Sequence, residues 1–162
     1  RSRSRRHKLL PAHPASPARA PTRKVLAPVL VDHDQAWVAE FLGRLHQTVP
    51  ILVHVLSVQP RYNGHVRAYV SARLIQEAQQ EDAKRKIAPL CQALCRCGIP
   101  HHINVLEGPT AEQIARYAQV QRCEHIVIGP HTNPWSAQRI LGSISHQVAQ
   151  LMSLAGRPCE VI

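Results

Sequence analysis

Four apolar runs of strand length, each followed by a segment of helical character, constrain the fold of this chain more than any other feature. The runs cover residues 24–31, 51–58, 101–106 and 125–128, and a shorter fifth run covers 158–162. The first two are nearly continuous, which is typical of strands buried on both faces. Strands that alternate with helices pair in parallel through right-handed crossovers. The sequence therefore predicts an α/β fold: a three-layer sandwich around an open, five-stranded parallel sheet.

Local signals predict where the helices begin and end. The polar cluster at residues 32–34 is suited to starting a helix, and Thr110 with Gln113 has the spacing of a capping box. A long helical stripe of apolar residues ends at Gly98, which favours a helix stop. Pro89 lies inside that stripe, so we expect it to kink the long helix or to split it.

Charge separates the first 23 residues from the rest of the chain. Eight of the 20 lysines and arginines lie in the first 24 positions, which hold no acidic residue, and the remainder has 12 basic against 10 acidic residues. Four prolines between positions 11 and 21 oppose regular structure. We predict a disordered, basic, proline-rich tail over residues 1–23 and one domain over residues 24–162.

Two interpretations of the tail stay open. Basic arms bind nucleic acid through counterion release, whereas a solvated extension needs no partner, and no aromatic residues interleave the arginines for stacking on bases. The tail has no apolar signal-peptide core, and no run approaches the roughly 18 apolar residues of a membrane span. We therefore expect a cytoplasmic protein without a membrane segment.

The five cysteines are expected to be reduced thiols, because no secretion signal accompanies them. Three of them lie in CQALCRCG, residues 91–98, whose C-x3-C-x-C spacing matches neither a zinc knuckle nor a cluster-binding loop. Cys91 and Cys95 share a helical face with two leucines, where cysteine acts as a small core residue. We expect no metal site.

The loop GPHTNPWSAQRILGS, residues 129–143, joins the fourth apolar run to the last helix. In open parallel sheets, ligands bind beyond the carboxyl ends of the strands, where the strand order reverses. A helix amino terminus attracts anions through its free N–H groups and its dipole. Gly142 and Ser143 at that terminus are compatible with a phosphate site, and also with a plain turn in which Ser143 only caps its own helix.

These residues resemble the universal stress protein family, whose nucleotide-binding members carry G-x2-G-x9-G-[ST] after the fourth strand. Gly129, Thr132 and the pair Gly142-Ser143 reproduce that spacing, with threonine in place of the inner glycine. Further similar stretches in the family's order are KVLAPV, ILVHVLSV, VLEGPTAEQIARYA, HIVIGPH and RPCEVI, so the likeness covers about residues 24–162.

The resemblance implies a Rossmann-like fold of the adenine nucleotide alpha hydrolase type and a homodimer formed through the last strand, residues 158–162. It also implies bound ATP or a related adenine nucleotide, with Mg²⁺ as the companion ion. Gly129, Gly142 and Ser143 would contact phosphates or ribose, and Val55 would lie beside the adenine. The whole expected cofactor-binding set is Pro28, Asp32, Val55, Gly129, His131, Thr132, Arg139, Gly142, Ser143 and Ile144.

Two positions depart from the family pattern. Thr132 is β-branched and disfavours the positive φ open to glycine by about 1 to 2 kcal/mol, which would lower nucleotide affinity roughly ten- to a hundredfold. Leu30 stands where the family's first-strand aspartate is expected, and Asp32 follows two residues later. Which of Leu30 and Asp32 faces the ligand stays open.

Three functions are compatible with these residues. The first is a regulatory stress-response protein that binds an adenine nucleotide, with Arg139 either closing over the phosphates or lying in solvent. The second is a dimeric interaction module of the same fold without nucleotide. The third is an enzyme in which His131 acts as a general acid. Because no matched nucleophile or carboxylate cluster accompanies His131, we expect no enzymatic turnover and no catalytic residue.

Overall fold

The computed structural model describes residues 21–62, 64, 70–132, 143–156 and 159–162. Strands and helices alternate along these residues, as the sequence predicts. The strands are β1 (Arg23–Pro28), β2 (Ile51–Gln59), β3 (His101–Glu107), β4 (His125–Ile126) and β5 (Glu160–Val161). The helices are α1 (Gln35–Thr48), α2 (Ala72–Arg96), α3 (Thr110–Gln121) and α4 (Ile144–Leu154).

The five strands form one parallel sheet in the order β3-β2-β1-β4-β5. The chain therefore adds β2 and β3 to one side of β1 and then crosses to add β4 and β5 to the other. This reversal of strand order lies between β1 and β4. The predicted α/β class and the open five-stranded parallel sheet are confirmed.

Helices cover both faces of the sheet, because neighbouring residues of a buried strand point to opposite faces. On one face, Val25 and Ala27 of β1 pack in a hydrophobic cluster with residues of α1 and α2. On the other face, Leu26 packs in a second cluster with residues of α3 and α4. Val25, Leu26 and Ala27 are completely buried, so β1 is the central strand of a three-layer core.

The helix starts agree with the sequence in one case and not in another. Asp34 caps α1, and its carboxylate accepts a hydrogen bond from the Trp37 amide at 3.0 Å, which confirms the helix start predicted at residues 32–34. The predicted cap by Thr110 is wrong, because α3 begins at Thr110 itself. Pro109 occupies the N-cap position there and makes no side-chain cap bond.

Helix α2 runs without a break through Pro89, so the predicted split is wrong. Pro89 is exposed. The helix carbonyl that would accept a bond from the missing N–H of Pro89 lies on this solvent face and can bind water instead.

The cysteines of residues 91–98 differ in burial. Cys95 is exposed, which makes its assignment to the core wrong, while Cys91 is half-buried. In the part of the chain that the structure describes, no three His, Cys, Asp or Glu side chains are grouped to hold a metal ion.

The predicted basic tail lies outside the described residues except for its last three positions. Its disorder and its contact with nucleic acid therefore stay predictions, as does the cytoplasmic location. Among the described helices, none combines the length and apolar character that crossing a membrane requires.

Candidate functional site

The loops that leave β1 and β4 lie side by side at the carboxyl edge of the sheet. We call the region bounded by residues 29–34, residues 129–132 and Ser143 the switch-point crevice. It lies where the strand order reverses, which is the usual ligand position in open α/β sheets. Leu30 and Ile144 pack in the same hydrophobic cluster as Ile128, so the amino end of α4 is fixed beside the two loops.

The two loops are bonded to each other by a short antiparallel bridge between His33 and His131. The Asp34 amide donates to the Pro130 carbonyl at 2.9 Å, and the Thr132 amide donates to the Asp32 carbonyl at 2.9 Å. The Thr132 hydroxyl donates to the same Asp32 carbonyl at 3.3 Å. We call these contacts the loop clasp.

The clasp brings two imidazole rings together. His33 and His131 form the pair of residues between the two backbone bonds of the bridge, an arrangement in which side chains lie especially close. Their ring centroids are 4.1 Å apart, with 41° between the ring planes. His33 is only 5% exposed. All four ring nitrogens of this pair are buried and have no hydrogen-bond partner among the described residues.

Burial lowers the pKa of His33 below the ordinary value of 6.5, and the nearby His131 lowers it further, while Asp32 acts in the opposite direction. Burial and the neighbouring His131, the two largest influences on this pKa, both disfavour a positive charge on the ring. The surroundings of His33 therefore favour the neutral form of its ring.

Gly129 forms the turn that leads out of β4, with φ of +79°. A Cβ atom at this position would lie 2.8 Å from Val38 Cγ2, 3.2 Å from Trp37 Cε3 and 3.3 Å from the Asp34 carbonyl oxygen. The glycine is therefore required by the close packing of this turn on the first turn of α1, whether or not a phosphate binds nearby.

Ser143 caps α4, and its hydroxyl oxygen accepts a hydrogen bond from the His146 amide at 3.3 Å. The same oxygen lies 2.7 Å from the hydroxyl of Ser145. Thus Ser143 has the capping role that the sequence allowed, and its side chain is already engaged.

The other expected binding residues differ in accessibility. Pro28 ends β1 and is buried, Val55 is fully buried in the sheet core, Asp32 is exposed and Ile144 is half-buried. Arg139 and Gly142 lie outside the described residues. The structure thus brings Asp32, Gly129, His131, Thr132 and Ser143 to the crevice and leaves the side chain of Val55 inside the core.

The predicted backbone cost of a positive φ at Thr132 does not arise in this structure. Among the described residues other than glycine, Arg122 is the one with positive φ, so Thr132 has an ordinary backbone conformation. Its amide and hydroxyl are instead used in the loop clasp. Threonine therefore acts here by joining the two loops and not by straining the backbone.

His33 is the crevice residue that sequence reasoning missed. A signal was present, since a histidine between two aspartates follows a strand at its carboxyl end. Its pairing with His131 was not predictable from the local pattern, because 98 positions of sequence separate the two.

A second buried histidine lies in the middle of the sheet. His54 of β2 is 5% exposed, and its Nδ1 lies 2.9 Å from the Tyr117 hydroxyl. The His102 ring lies edge-on to His54, with the ring centroids 5.7 Å apart. Burial lowers the pKa of His54, and His102 and Lys24 lower it further.

A groove of about 610 Å³ lies away from the crevice, between the first half of α2 and the edge strand β3. Its floor includes the exposed side chains of Ile103 and Val105. Glutamines from β2 and α2 also line the groove. Nothing in the described residues links this groove to the two strand ends of the crevice.

The sheet order and the position of the crevice define an α/β protein with the adenine nucleotide alpha hydrolase-like fold. The model of the universal stress protein family matches residues 21–154, which is most of the chain. The chain belongs to the universal stress protein family. The comparison with curated proteins gives no match.

Solved structures share the fold at low sequence identity. The hypothetical protein MJ0577 is 20% identical with a TM-score of 0.67, and the match covers 86% of this chain and 94% of that one. Universal stress protein UspA from Lactobacillus plantarum is 21% identical with a TM-score of 0.63, over 88% and 97% of the two chains. An Arabidopsis thaliana member with AMP bound is 17% identical with a TM-score of 0.55, over 88% and 89%.

Proposed function

We propose that this chain is a regulatory stress-response protein that binds an adenine nucleotide in the switch-point crevice. The observation that carries the proposal is the crevice itself, which lies where the strand order reverses and is bounded by a glycine turn and a helix amino terminus. Structures of family members with AMP, dAMP and cAMP support the choice of ligand class.

In this proposal the phosphates lie between residues 129–132 and the first turn of α4. The helix dipole at Ser143 favours a negative charge there. Asp32 is exposed beside the crevice and is suited to accepting hydrogen bonds from the ribose or the base. Arg139, Gly142 and a Mg²⁺ ion that accompanies a triphosphate remain part of the proposed site.

Equilibrium dialysis with labelled AMP and ATP, with and without Mg²⁺, tests the proposal. We expect saturable binding at micromolar nucleotide, and an increase in affinity for the variant T132G, because glycine is the residue of the family's nucleotide-binding motif at this position and has no side chain that could obstruct the phosphates. Absence of saturable binding to both the native chain and T132G would contradict the proposal.

A second candidate function is a dimeric interaction module that holds no nucleotide. The loop clasp favours this candidate, because the amide and the hydroxyl of Thr132 both donate to the Asp32 carbonyl and so are not free to bind phosphate. Dimerisation would use β5, whose two residues form the edge of the sheet next to β4. Light scattering on the purified chain, together with a negative dialysis result, would support this candidate.

We also propose that the chain is not an enzyme. His131 contacts another imidazole, and the crevice hydroxyls are engaged elsewhere, since Thr132 donates to the Asp32 carbonyl and Ser143 caps α4. The expected result is no phosphate release from ATP beyond slow hydrolysis. Release at several molecules per second that H131A abolishes would contradict this.

A further inference from the structure

The described borders of the crevice carry negative charge and no permanent positive charge. Residues 29–34, 129–132 and 143–146 contain two aspartates, three histidines and no lysine or arginine. Asp34 is engaged in capping α1, while Asp32 is exposed at the mouth. Apart from the histidines, these segments offer no group that could compensate the carboxylates when an anion enters.

His33, His131 and His146 are the described border groups that can supply such a cation, and the first two rings are in contact. A neutral imidazole has one donor and one acceptor nitrogen, whereas the protonated ring has two donors. All four nitrogens of the pair are buried and lack a partner among the described residues. Buried polar groups without a partner are unfavourable, so acceptor oxygens from a ligand would stabilise this pair.

We propose that the His33–His131 pair binds the phosphate of the nucleotide and that one of the two rings takes up a proton from solvent when the phosphate binds. This inference rests on the proposed nucleotide-binding function and adds a specific recognition element for the anionic group. The proton moves from solvent to a ring nitrogen, which then donates a hydrogen bond to a phosphate oxygen. No covalent bond to the nucleotide changes.

The charges that face the pair give the direction of this coupling. In the free protein, burial and the neighbouring ring lower the pKa of His33, and Asp32 alone among the named influences raises it. Asp34 on α1 and His146 on α4 are the remaining titratable groups of the crevice borders. A phosphate within hydrogen-bond distance favours the charged ring, so the bound state holds more protons than the free state near pH 7.

Calorimetric titration with AMP and with adenosine tests the proposal on the intact chain. Each ligand is titrated at pH 7.2 in Pipes, Hepes and Tris buffers, whose different ionisation enthalpies report the protons exchanged. We expect uptake of about half a proton with AMP and none with adenosine, since only AMP carries the phosphate. Work above pH 7 keeps the AMP phosphate largely in its dianionic form, because its second pKa is about 6.

Affinity provides a second readout. From pH 7 to pH 8 we expect AMP binding to weaken about twofold and adenosine binding to stay constant. The variant H33Q keeps a polar side chain of similar length, and we expect it to lose most of the proton uptake and of the pH dependence. H54Q is the matched control, because His54 is buried to the same extent but lies outside the crevice, and its proton uptake should equal that of the native chain.

Each outcome decides between the two proposals. If AMP binds without proton uptake and H33Q binds it as the native chain does, the histidine inference is overturned while the nucleotide-binding function stands. If AMP binding to H33Q becomes tighter, the pair blocks the site, and the inference is likewise overturned. If neither AMP nor adenosine binds, the proposed function fails and the inference fails with it.

Discussion

The two buried histidines, His33 at the crevice and His54 in the sheet, have the same exposure but different surroundings. Each is 5% exposed, and burial lowers the pKa of each. His54 lies in a strand, and one of its nitrogens is 2.9 Å from the Tyr117 hydroxyl, whereas His33 lies in a loop with both nitrogens unpartnered among the described residues. Equal burial thus accompanies a partnered ring in the strand and a ring with two unpartnered nitrogens in the loop.

The largest expected effect on stability comes from the variant G129A, which changes the crevice, the first of the two regions compared. The new methyl group would overlap Val38, and the alanine would have to keep the φ of +79° that glycine adopts here. We expect a loss of about 3 kcal/mol in the free energy of unfolding, from backbone strain and overpacking together. Urea unfolding followed by circular dichroism measures it.

G156A is the matched control for that change. Gly156 also has positive φ, but a Cβ atom there would meet nothing within 4 Å. We expect a loss of about 1 kcal/mol from the backbone alone. If the two variants lose equal stability, the close approach of Gly129 to α1 has no energetic weight.

The next largest effect on stability is expected for Y117F, which removes the hydrogen-bond partner of His54 and so gives it the unpartnered ring of His33. Y117F removes the hydroxyl that lies 2.9 Å from His54 Nδ1. Because His54 Nε2 already lacks a partner among the described residues, both ring nitrogens would then be unpartnered. We expect a loss of about 1 to 2 kcal/mol in unfolding free energy, because a buried polar group becomes unsatisfied. AMP binding should not change, since this cluster lies outside the crevice. A loss of AMP affinity in Y117F would show that the two regions are coupled.

A pH dependence of stability is expected from both histidines. The pKa of each is below 6.5 in the folded protein, so below pH 6.5 the unfolded chain binds more protons than the folded one. Their contribution is complete above pH 6.5 and is lost as the pH falls towards the folded pKa. We expect the native chain to lose about 1 kcal/mol between pH 7 and pH 5.5.

Urea titrations of H33Q, H54Q and the double variant at both pH values measure each share. Each single variant should lose less stability on acidification than the native chain, and the double variant should lose least. A native chain whose stability is unchanged between the two pH values would contradict the lowered pKa of both rings.

The sheet was predictable from the sequence because continuous apolar runs and helical stripes are local patterns. The crevice was only partly predictable. Gly129 was found through its motif, but the close approach of its turn to Val38 joins residues that are 91 positions apart, and the local motif does not show it. His33 carried no periodic signal, and its partner His131 is 98 positions away in sequence. Thr110 was assigned as a cap because sequence spacing does not distinguish a cap from the first helical residue.

The smallest expected effect concerns what holds the loops at the crevice together. T132V replaces the hydroxyl by a methyl group of similar shape and removes one donor to the Asp32 carbonyl, at 3.3 Å, on an exposed residue. The Thr132 amide still donates to that carbonyl at 2.9 Å, so we expect a change in unfolding free energy below about 0.5 kcal/mol. A loss above 1 kcal/mol in urea unfolding would mean that the hydroxyl, and not the backbone, maintains the His33–His131 contact. The loop clasp would then depend on side-chain identity, as the contact between His54 and Tyr117 does.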